Sequence, residues 1–250
     1  MFPVVLKWPI TIYTYGLMIS AGVLVSLYIL TRLGEKNGVN SDQIMELIIW
    51  VLITGFIGAR ILYIIVEWKM FLASPARTVL SRSGFVFYGG VITGIPVLVW
   101  RIKKLKLNLW KTLDMFSVVV PLAHAFGRVG CFAFGCCYGR ETSSWIGMKF
   151  PAGSPAGVSG HPVIPTQLIE AALLVVLFGF LLLLYYRKKT DGVISVTYLI
   201  AYGIIRFFVE FFRNDDRGSI GIFSTSQFMS ILIVVSAIFT YYIIKSKRKL

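Results

Sequence analysis

Arg206 and Glu210 lie one helical turn apart in a stretch that otherwise consists mainly of isoleucine, phenylalanine and valine. Tyr202 lies one turn earlier and Arg213 follows, so a helix would place all four side chains on one face. This polar stripe on an apolar helix has two interpretations. Arg206 and Glu210 form a structural ion pair that holds helices together, or the guanidinium binds an anionic ligand.

Two more arginines lie within apolar segments. Arg128 stands between Gly127 and Gly130, and Arg60 follows Gly58. An arginine near the centre of a bilayer costs about 2.5–3.5 kcal/mol, so it usually faces a partner or a polar cavity. The glycines beside Arg128 let a ligand or another backbone approach closely, which favours a functional role. Arg60 could instead extend from a helix end to the membrane surface.

A phosphate is the ligand that suits these guanidinium groups best. Arginine binds phosphate through a planar pair of N–H donors and stays charged at any ordinary pH. The arginines therefore predict a cavity that accepts the headgroup of an anionic phospholipid while its acyl chains remain in the bilayer.

The composition is that of a membrane protein. Hydrophobic residues make up 57% of the 250 residues and charged residues only 14%, whereas a soluble domain carries about 25%. The formal net charge of +14 comes from short basic segments between long apolar ones. Such segments lie at the cytoplasmic face and favour anionic lipid. No soluble basic domain that would bind nucleic acid is visible.

The hydropathy pattern predicts an all-α, polytopic fold with about seven transmembrane helices in a single domain that covers residues 1–250. More basic residues fall on one side when the basic tail at 245–249 is assigned to the cytoplasm. The N-terminus then lies outside, and residues 134–164 form an extracytoplasmic loop between spans four and five. The predicted spans are 13–31, 44–66, 85–100, 112–133, 165–186, 192–212 and 224–244.

The third span is short and contains Gly89, Gly90, Gly94 and Pro96. Irregular backbone at membrane depth is tolerated only where protein or a water-filled cavity covers it. We therefore expect glycine and proline to interrupt this helix and to make it part of a cavity wall.

Several short motifs, in a fixed order along the chain, resemble the phosphatidylglycerol–prolipoprotein diacylglyceryl transferase family of bacteria. One such motif would be weak, but the ordered set is specific. The matching stretches are Tyr15-Gly-Leu-Met18, Gly58-Ala-Arg60 with Tyr63, Gly89-Gly90-Val-Ile, Gly127-Arg128-Val-Gly130, Tyr138-Gly-Arg140, Pro165-Thr-Gln167-Leu-Ile-Glu170, and Tyr202 through Arg213.

The resemblance implies an enzyme of the bacterial cytoplasmic membrane. Its donor would be phosphatidylglycerol, its acceptor the lipobox cysteine of a secreted precursor protein, and no metal or organic cofactor is implied. Arg128 and Arg206 would stabilise the leaving phosphate, and Glu210 would orient Arg206. The catalytic residues implied are Arg128, Arg206, Glu210 and Tyr88, and the substrate-binding residues are Tyr15, Arg60, Gly89, Gly90, Gly130, Tyr138, Arg140, Gln167, Glu170 and Tyr202.

Two histidines of the family pattern are replaced in this chain. Tyr88 stands before the Gly-Gly pair, where the family usually has histidine, and tyrosine with a pKa of about 10 is a weak base at neutral pH. Ile164 replaces the histidine beside the proline of the Gln-Leu-x-Glu segment. His161 lies three residues earlier and could supply the missing base.

Three cysteines also depart from the pattern. The family carries asparagine, asparagine and glutamate where this chain has Cys131, Phe134 and Cys136, and Cys137 follows. Four interpretations stay open: apolar packing, a thiol that takes part in group transfer, a vicinal disulfide, and a metal site that includes His124 on the same helix face.

Two alternatives to the implied reaction use the same arginines. The chain could transfer the diacylglyceryl group to a different acceptor, or it could carry a phospholipid across the bilayer without covalent chemistry. An accessory membrane protein without lipid chemistry is a further possibility. The sequence does not identify the acceptor, the residue that replaces the family histidine, or the oligomeric state.

The substitution His161→Ala tests the proposed base. If His161 removes the proton of the acceptor thiol, the variant loses most of its transfer activity, because the thiol is a much weaker nucleophile than the thiolate. Activity is measured with labelled phosphatidylglycerol and a lipobox peptide. Full activity of the variant would exclude this role.

Overall fold

The computed structural model describes residues 4–6, 12–81, 84–214 and 219–246, so the last part of the basic tail lies outside the described residues. Helices dominate, as predicted, and the strands are very short. The elements are β1 (Val4–Leu6), β2 (Ile12–Tyr13), α1 (Thr14–Glu35), α2 (Ser41–Val66), α3 (Trp68–Ala73), α4 (Pro75–Leu80), α5 (Phe87–Lys104), α6 (Leu109–Phe134), α7 (Thr166–Arg187), α8 (Val193–Glu210), β3 (Ser219–Ile220), β4 (Phe223–Ser224) and α9 (Thr225–Ser246).

Each of the seven predicted spans coincides with a long helix, and six of those helices are long and apolar enough to cross a membrane. The all-α, polytopic membrane fold is thereby confirmed. The exception is α5, whose last turn carries Arg101, Lys103 and Lys104. These charges leave too short an apolar part for about 30 Å of hydrocarbon. The count of seven spans, the orientation of the termini and the single domain stay predictions.

The expected interruption of the third span is wrong. Helix α5 continues through Gly89, Gly90 and Gly94, and Pro96 lies inside it. Proline and glycine are tolerated in membrane helices where neighbouring groups satisfy the freed backbone. Here the glycines serve close helix packing instead of an irregular cavity wall.

The chain forms two compact units, of which the second runs from Leu30 to Thr112. Within it, α2 begins with a capping box in which the Asn40 side chain accepts from the Gln43 N–H and the Gln43 side chain accepts from the Asn40 N–H. Helices α2 and α5 then meet at glycines. A Cβ atom on Gly58 would lie 2.6 Å from the carbonyl oxygen of Gly89, so only glycine permits this approach of the two backbones.

The first unit contains the described residues up to Ile29 and those from Leu113 onward. Small residues again set the helix spacing. A Cβ atom on Gly22 of α1 would lie 2.8 Å from Cβ of Phe126 on α6, and one on Gly203 of α8 would lie 2.6 Å from the Val234 side chain on α9. Helices α7 and α8 also pack against each other. These contacts join α1 to α6, and α8 to both α7 and α9, within this unit.

The segment from residue 135 to 165 has a folded structure although it contains no long helix. Its backbone pairs Glu141 and Met148 with Val163. The buried side chains of Phe150, Ala156 and Val163 form a small core of their own. The segment therefore holds fixed positions at the ends of α6 and α7.

Replacing Gly89 by alanine tests the glycine contact between α2 and α5. The added methyl group meets the Gly58 carbonyl, so we expect a loss of about 1–3 kcal/mol in unfolding free energy. Gly179 in α7 has no heavy atom within 4 Å of its ideal Cβ, and Gly179→Ala should be neutral or stabilising by up to about 1 kcal/mol. Thermal unfolding of both variants in one detergent makes the comparison, and equal melting temperatures would contradict it.

Candidate functional site

Glu170 lies at the centre of a cluster of buried charges in the first unit. Its side chain, on the second turn of α7, is completely buried. The Oε1 atom lies 2.9 Å from Nη2 of Arg128 on α6, and Oε2 lies 3.8 Å from Nη1 of Arg206 on α8. Nε2 of His124, one turn before Arg128, lies 3.8 Å from Oε1. The two arginines predicted to share a site therefore face the same carboxylate.

A second carboxylate orients Arg206. Nη2 of Arg206 donates to Oε2 of Glu210 at 2.7 Å and to the Ser226 hydroxyl at 2.9 Å. The hydroxyl of Ser224 donates to the other Glu210 oxygen at 3.0 Å. Arg213 lies just beyond the end of α8, with its Nε atom 3.9 Å from Glu210. The polar stripe is thus held by the first turn of α9 as well as by α7.

The cluster carries more positive than negative charge. Three guanidinium groups face two carboxylates, which leaves one positive charge when His124 is counted as neutral. Within the part of the chain that the structure describes, the buried Nε of Arg128 and Nη1 of Arg206 donate no hydrogen bond. Buried N–H groups of a cation are costly without an acceptor. The arrangement therefore suits an anion with several acceptor oxygens.

Aromatic side chains border this cluster. Tyr202 stacks on Tyr198 with ring centroids 5.8 Å apart and contacts the His124 ring at 5.6 Å. Tyr15, at the start of α1, packs against Gly130, where a Cβ atom would lie 3.0 Å from the tyrosine ring. Gly130 therefore makes room for Tyr15, one of the predicted substrate-binding residues.

The thiols of Cys131, Cys136 and Cys137 lie near Arg128 and Arg213, and no disulfide joins them. Their sulfur atoms fall within 4.8 Å of one another. Hydrogen bonds from the Cys131 and Cys136 thiols, and one from Arg213, lower the pKa of the Cys137 thiol. His124 points to Glu170 and is not part of the three-sulfur group, which is contrary to the metal site with His124 considered from the sequence.

Comparison with known proteins identifies the family of the chain. The family model of prolipoprotein diacylglyceryl transferase matches residues 3–243. The chain belongs to the prolipoprotein diacylglyceryl transferase family. The resemblance predicted from the ordered motifs is thereby confirmed.

Curated relatives cover nearly the whole chain. Phosphatidylglycerol–prolipoprotein diacylglyceryl transferase 2 of Clostridium perfringens is 43% identical over 245 residues, which are 95% of this chain and 93% of the relative. The phosphatidylglycerol–prolipoprotein diacylglyceryl transferases of Clostridium tetani and Finegoldia magna are 38% and 32% identical, over 95% and 96% of this chain and the same shares of those relatives. This diacylglyceryl transferase family member is a multi-pass membrane protein.

Three other predicted substrate-binding residues of this family member lie near the charged cluster but outside it. Gln167 is buried, and its Nε2 donates to the Cys136 carbonyl at 2.6 Å. Tyr138 packs against the small core of the 135–165 segment. Arg140 has an exposed side chain, while its backbone N–H donates to the Phe212 carbonyl at 2.8 Å. Their roles toward a substrate stay predictions.

Four predicted site residues belong to the second unit. Arg60 donates to the carbonyl oxygens of Val79, Ser81 and Gly84 at 2.6–3.2 Å, which favours the structural alternative considered for it. Gly89 and Gly90, in contrast, face the backbone of α2. The ring of Tyr88 contacts Phe87 edge to face.

The sequence did not predict Ser224 and Ser226 as site residues, and it indicated His124 only as a member of the metal site considered with the cysteines. Ser224 ends β4 and Ser226 lies in the first turn of α9. Serine is expected near a helix start as a cap, so nothing marked these two residues as partners of Arg206 and Glu210. The spacing of His124 and Arg128, one helical turn apart, was the available signal that they share a face. Glu170 was predicted as a substrate contact, whereas its observed contacts are with the two arginines.

The substitution Glu170→Gln tests whether this carboxylate holds the cluster together. It leaves Arg128 without its buried counter-charge, so we expect a loss of about 3–5 kcal/mol in unfolding free energy. Glu141→Gln is the matched control, because that side chain is exposed and should change stability by less than about 0.5 kcal/mol. Thermal unfolding and membrane abundance are measured for both, and equal values would contradict the central role of Glu170.

Proposed function

We propose that this chain transfers the diacylglyceryl group of phosphatidylglycerol to the lipobox cysteine thiol of a preprolipoprotein. Membership of the prolipoprotein diacylglyceryl transferase family and the names of the relatives support this reaction. The observation in the site that carries the proposal is the pair of arginines around Glu170, because the buried Nε of Arg128 and Nη1 of Arg206 donate no hydrogen bond within the described residues. A phospholipid phosphate supplies such acceptors.

The bond changes define what the site has to do. The sulfur of the acceptor cysteine attacks the phosphate-bearing carbon of the donor's diacylglyceryl moiety, and a C–S bond forms. The C–O bond to the phosphate breaks, and glycerol phosphate leaves with that electron pair. The acceptor loses its thiol proton, because the thiolate is the nucleophile. Negative charge therefore grows on the phosphate in the transition state.

Arg128 and Arg206 are proposed to stabilise that growing charge. Preorganised cations in a water-poor site act strongly at the point where charge develops. Glu170 and Glu210 would act as positioning residues, because each fixes a guanidinium group at 2.7–2.9 Å. The one unmatched positive charge of the cluster balances the single negative charge of a phosphodiester.

The remaining residues have supporting roles in this proposal. Tyr15 and Tyr202 lie near the charged cluster by their contacts with Gly130 and His124, and their hydroxyl groups are proposed to donate to the headgroup. Tyr88, at the position of the family histidine, is kept as a proposed catalytic residue.

Exchange of either arginine for lysine is the direct test of phosphate binding. Lysine keeps the charge but lacks the planar pair of donors. We expect Arg206→Lys and Arg128→Lys to lower transfer at least about 100-fold, as for loss of an oxyanion donor. Arg187→Lys at the exposed end of α7 is the matched control and should keep full activity. Labelled phosphatidylglycerol and a lipobox peptide give the rate.

The same assay separates the alternatives. Labelled peptide together with released glycerol phosphate supports the proposed reaction. Glycerol phosphate without labelled peptide would mean a different acceptor, and headgroup translocation in liposomes without covalent product would mean a lipid carrier. Unchanged activity of both arginine variants, in protein with a wild-type melting temperature, would contradict the role of the arginine donors.

A further inference from the structure

Three thiols converge at the end of α6. The sulfur atoms of Cys131, Cys136 and Cys137 lie within 4.8 Å of one another, and each residue is partly exposed. In the described residues no other group of histidines, cysteines or carboxylates is as close together. The three residues are also all the cysteines of the chain.

A tight turn at the end of α6 brings the thiols together. The N–H groups of Gly135 and Cys136 both donate to the Cys131 carbonyl, at 2.9 and 3.1 Å. Gly135 has a φ angle of 79° and Cys137 one of 62°. A left-handed conformation costs a residue other than glycine about 1–2 kcal/mol. Cys137 adopts it, and this folds its side chain back toward the other two.

Helix α7 fixes this turn from outside. Nε2 of Gln167 donates to the Cys136 carbonyl at 2.6 Å, and the Thr166 hydroxyl donates to the Cys137 carbonyl at 2.9 Å. The backbone of both cysteines is thus anchored on the first turn of a neighbouring helix. Thiols held in this way need little reorganisation to bind one ion together.

We propose that Cys131, Cys136 and Cys137 form a three-thiolate site for one thiophilic divalent cation of the zinc and cadmium class. Zinc lies about 2.3 Å from a cysteine sulfur, which puts the sulfurs of one site about 4 Å apart. The observed sulfur group needs only a small contraction to reach this geometry. Soft thiolate ligands select such ions over magnesium and calcium.

Neighbouring charges favour the occupied site. Three thiolates and one divalent cation carry a net charge of minus one, and the three thiol protons are released on binding. Arg213 hydrogen-bonds to Cys137, and the charge of Arg128 acts on Cys131. Both cations attract the thiolates in addition to the carboxylates that they already face. The fourth position on the ion is open to water, because the cysteines are partly exposed.

A role of these thiols as a relay in group transfer is chemically less suitable. A thiol that accepted the diacylglyceryl group would become a thioether, and a thioether sulfur is a poor leaving group. The group would then stay on the enzyme. Metal binding requires no such second step and no oxidant.

Cadmium binding to the purified full-length chain tests the site. The protein is kept in detergent with a phosphine reductant and titrated with Cd²⁺, and the ultraviolet sulfur-to-cadmium charge-transfer band is recorded. We expect one Cd²⁺ per chain, and at least about tenfold weaker binding in Cys131→Ser, Cys136→Ser and Cys137→Ser. His161→Ala, which removes an exposed metal-binding side chain on the same segment, is the matched control and should bind as the wild type does.

A second measurement uses only the wild-type chain, so its result does not depend on whether the cysteine variants fold. Zn²⁺ should slow the alkylation of all three thiols together, and Cd²⁺, which soft thiolates bind more tightly, should displace bound Zn²⁺. A titration without a charge-transfer band, or a band of wild-type intensity in all three serine variants, would overturn the proposal. Alkylation that Zn²⁺ leaves unaffected would overturn it as well. Neither measurement depends on diacylglyceryl transfer, so a failure of the proposed reaction is distinguished from a failure of this site.

Discussion

The site depends on one constraint, which is that a fully buried carboxylate needs cationic partners. Glu170 has no exposed surface and faces guanidinium groups from α6 and α8. Bringing charges out of water is expensive, and their mutual attraction offsets this cost only when the geometry is good. The helices α6, α7 and α8, which carry these residues, must therefore keep fixed positions relative to one another along the membrane normal. The stability of the charged cluster therefore depends on the packing of the helices in the first unit.

Small residues and short polar contacts provide that geometry. Gly203 lets α8 approach α9, which places Ser226 within 2.9 Å of Arg206. Gly130 gives space to Tyr15. Outside the helices, the backbone N–H of Gly139 donates a hydrogen bond to the Ile164 carbonyl, and the N–H of Arg140 donates one to the Phe212 carbonyl. The segment between α6 and α7 is consequently held close to the end of α8, where Arg213 lies.

The sequence was informative where a pattern is local. Apolar length located the helices, and the one-turn spacing of Arg206 and Glu210 indicated their contact. Ser226 and Glu170 touch Arg206 from other helices, and no spacing encodes such long-range contacts. Glycine and proline in α5 suggested irregular backbone, because their cost in an isolated helix is large. Packing against the α2 backbone reversed that preference at Gly89.

The surplus positive charge of the cluster also bears on what happens after the reaction. A phosphodiester carries one negative charge, but a free phosphate monoester carries about −1.5 to −2 at pH 7, because its second pKa is about 6. A pocket with fixed guanidinium groups attracts the more highly charged species more strongly. In the proposed reaction, the cluster would therefore bind glycerol phosphate more strongly than it binds the lipid donor. Turnover would then require water, or an incoming lipid, to displace this leaving group from the arginines.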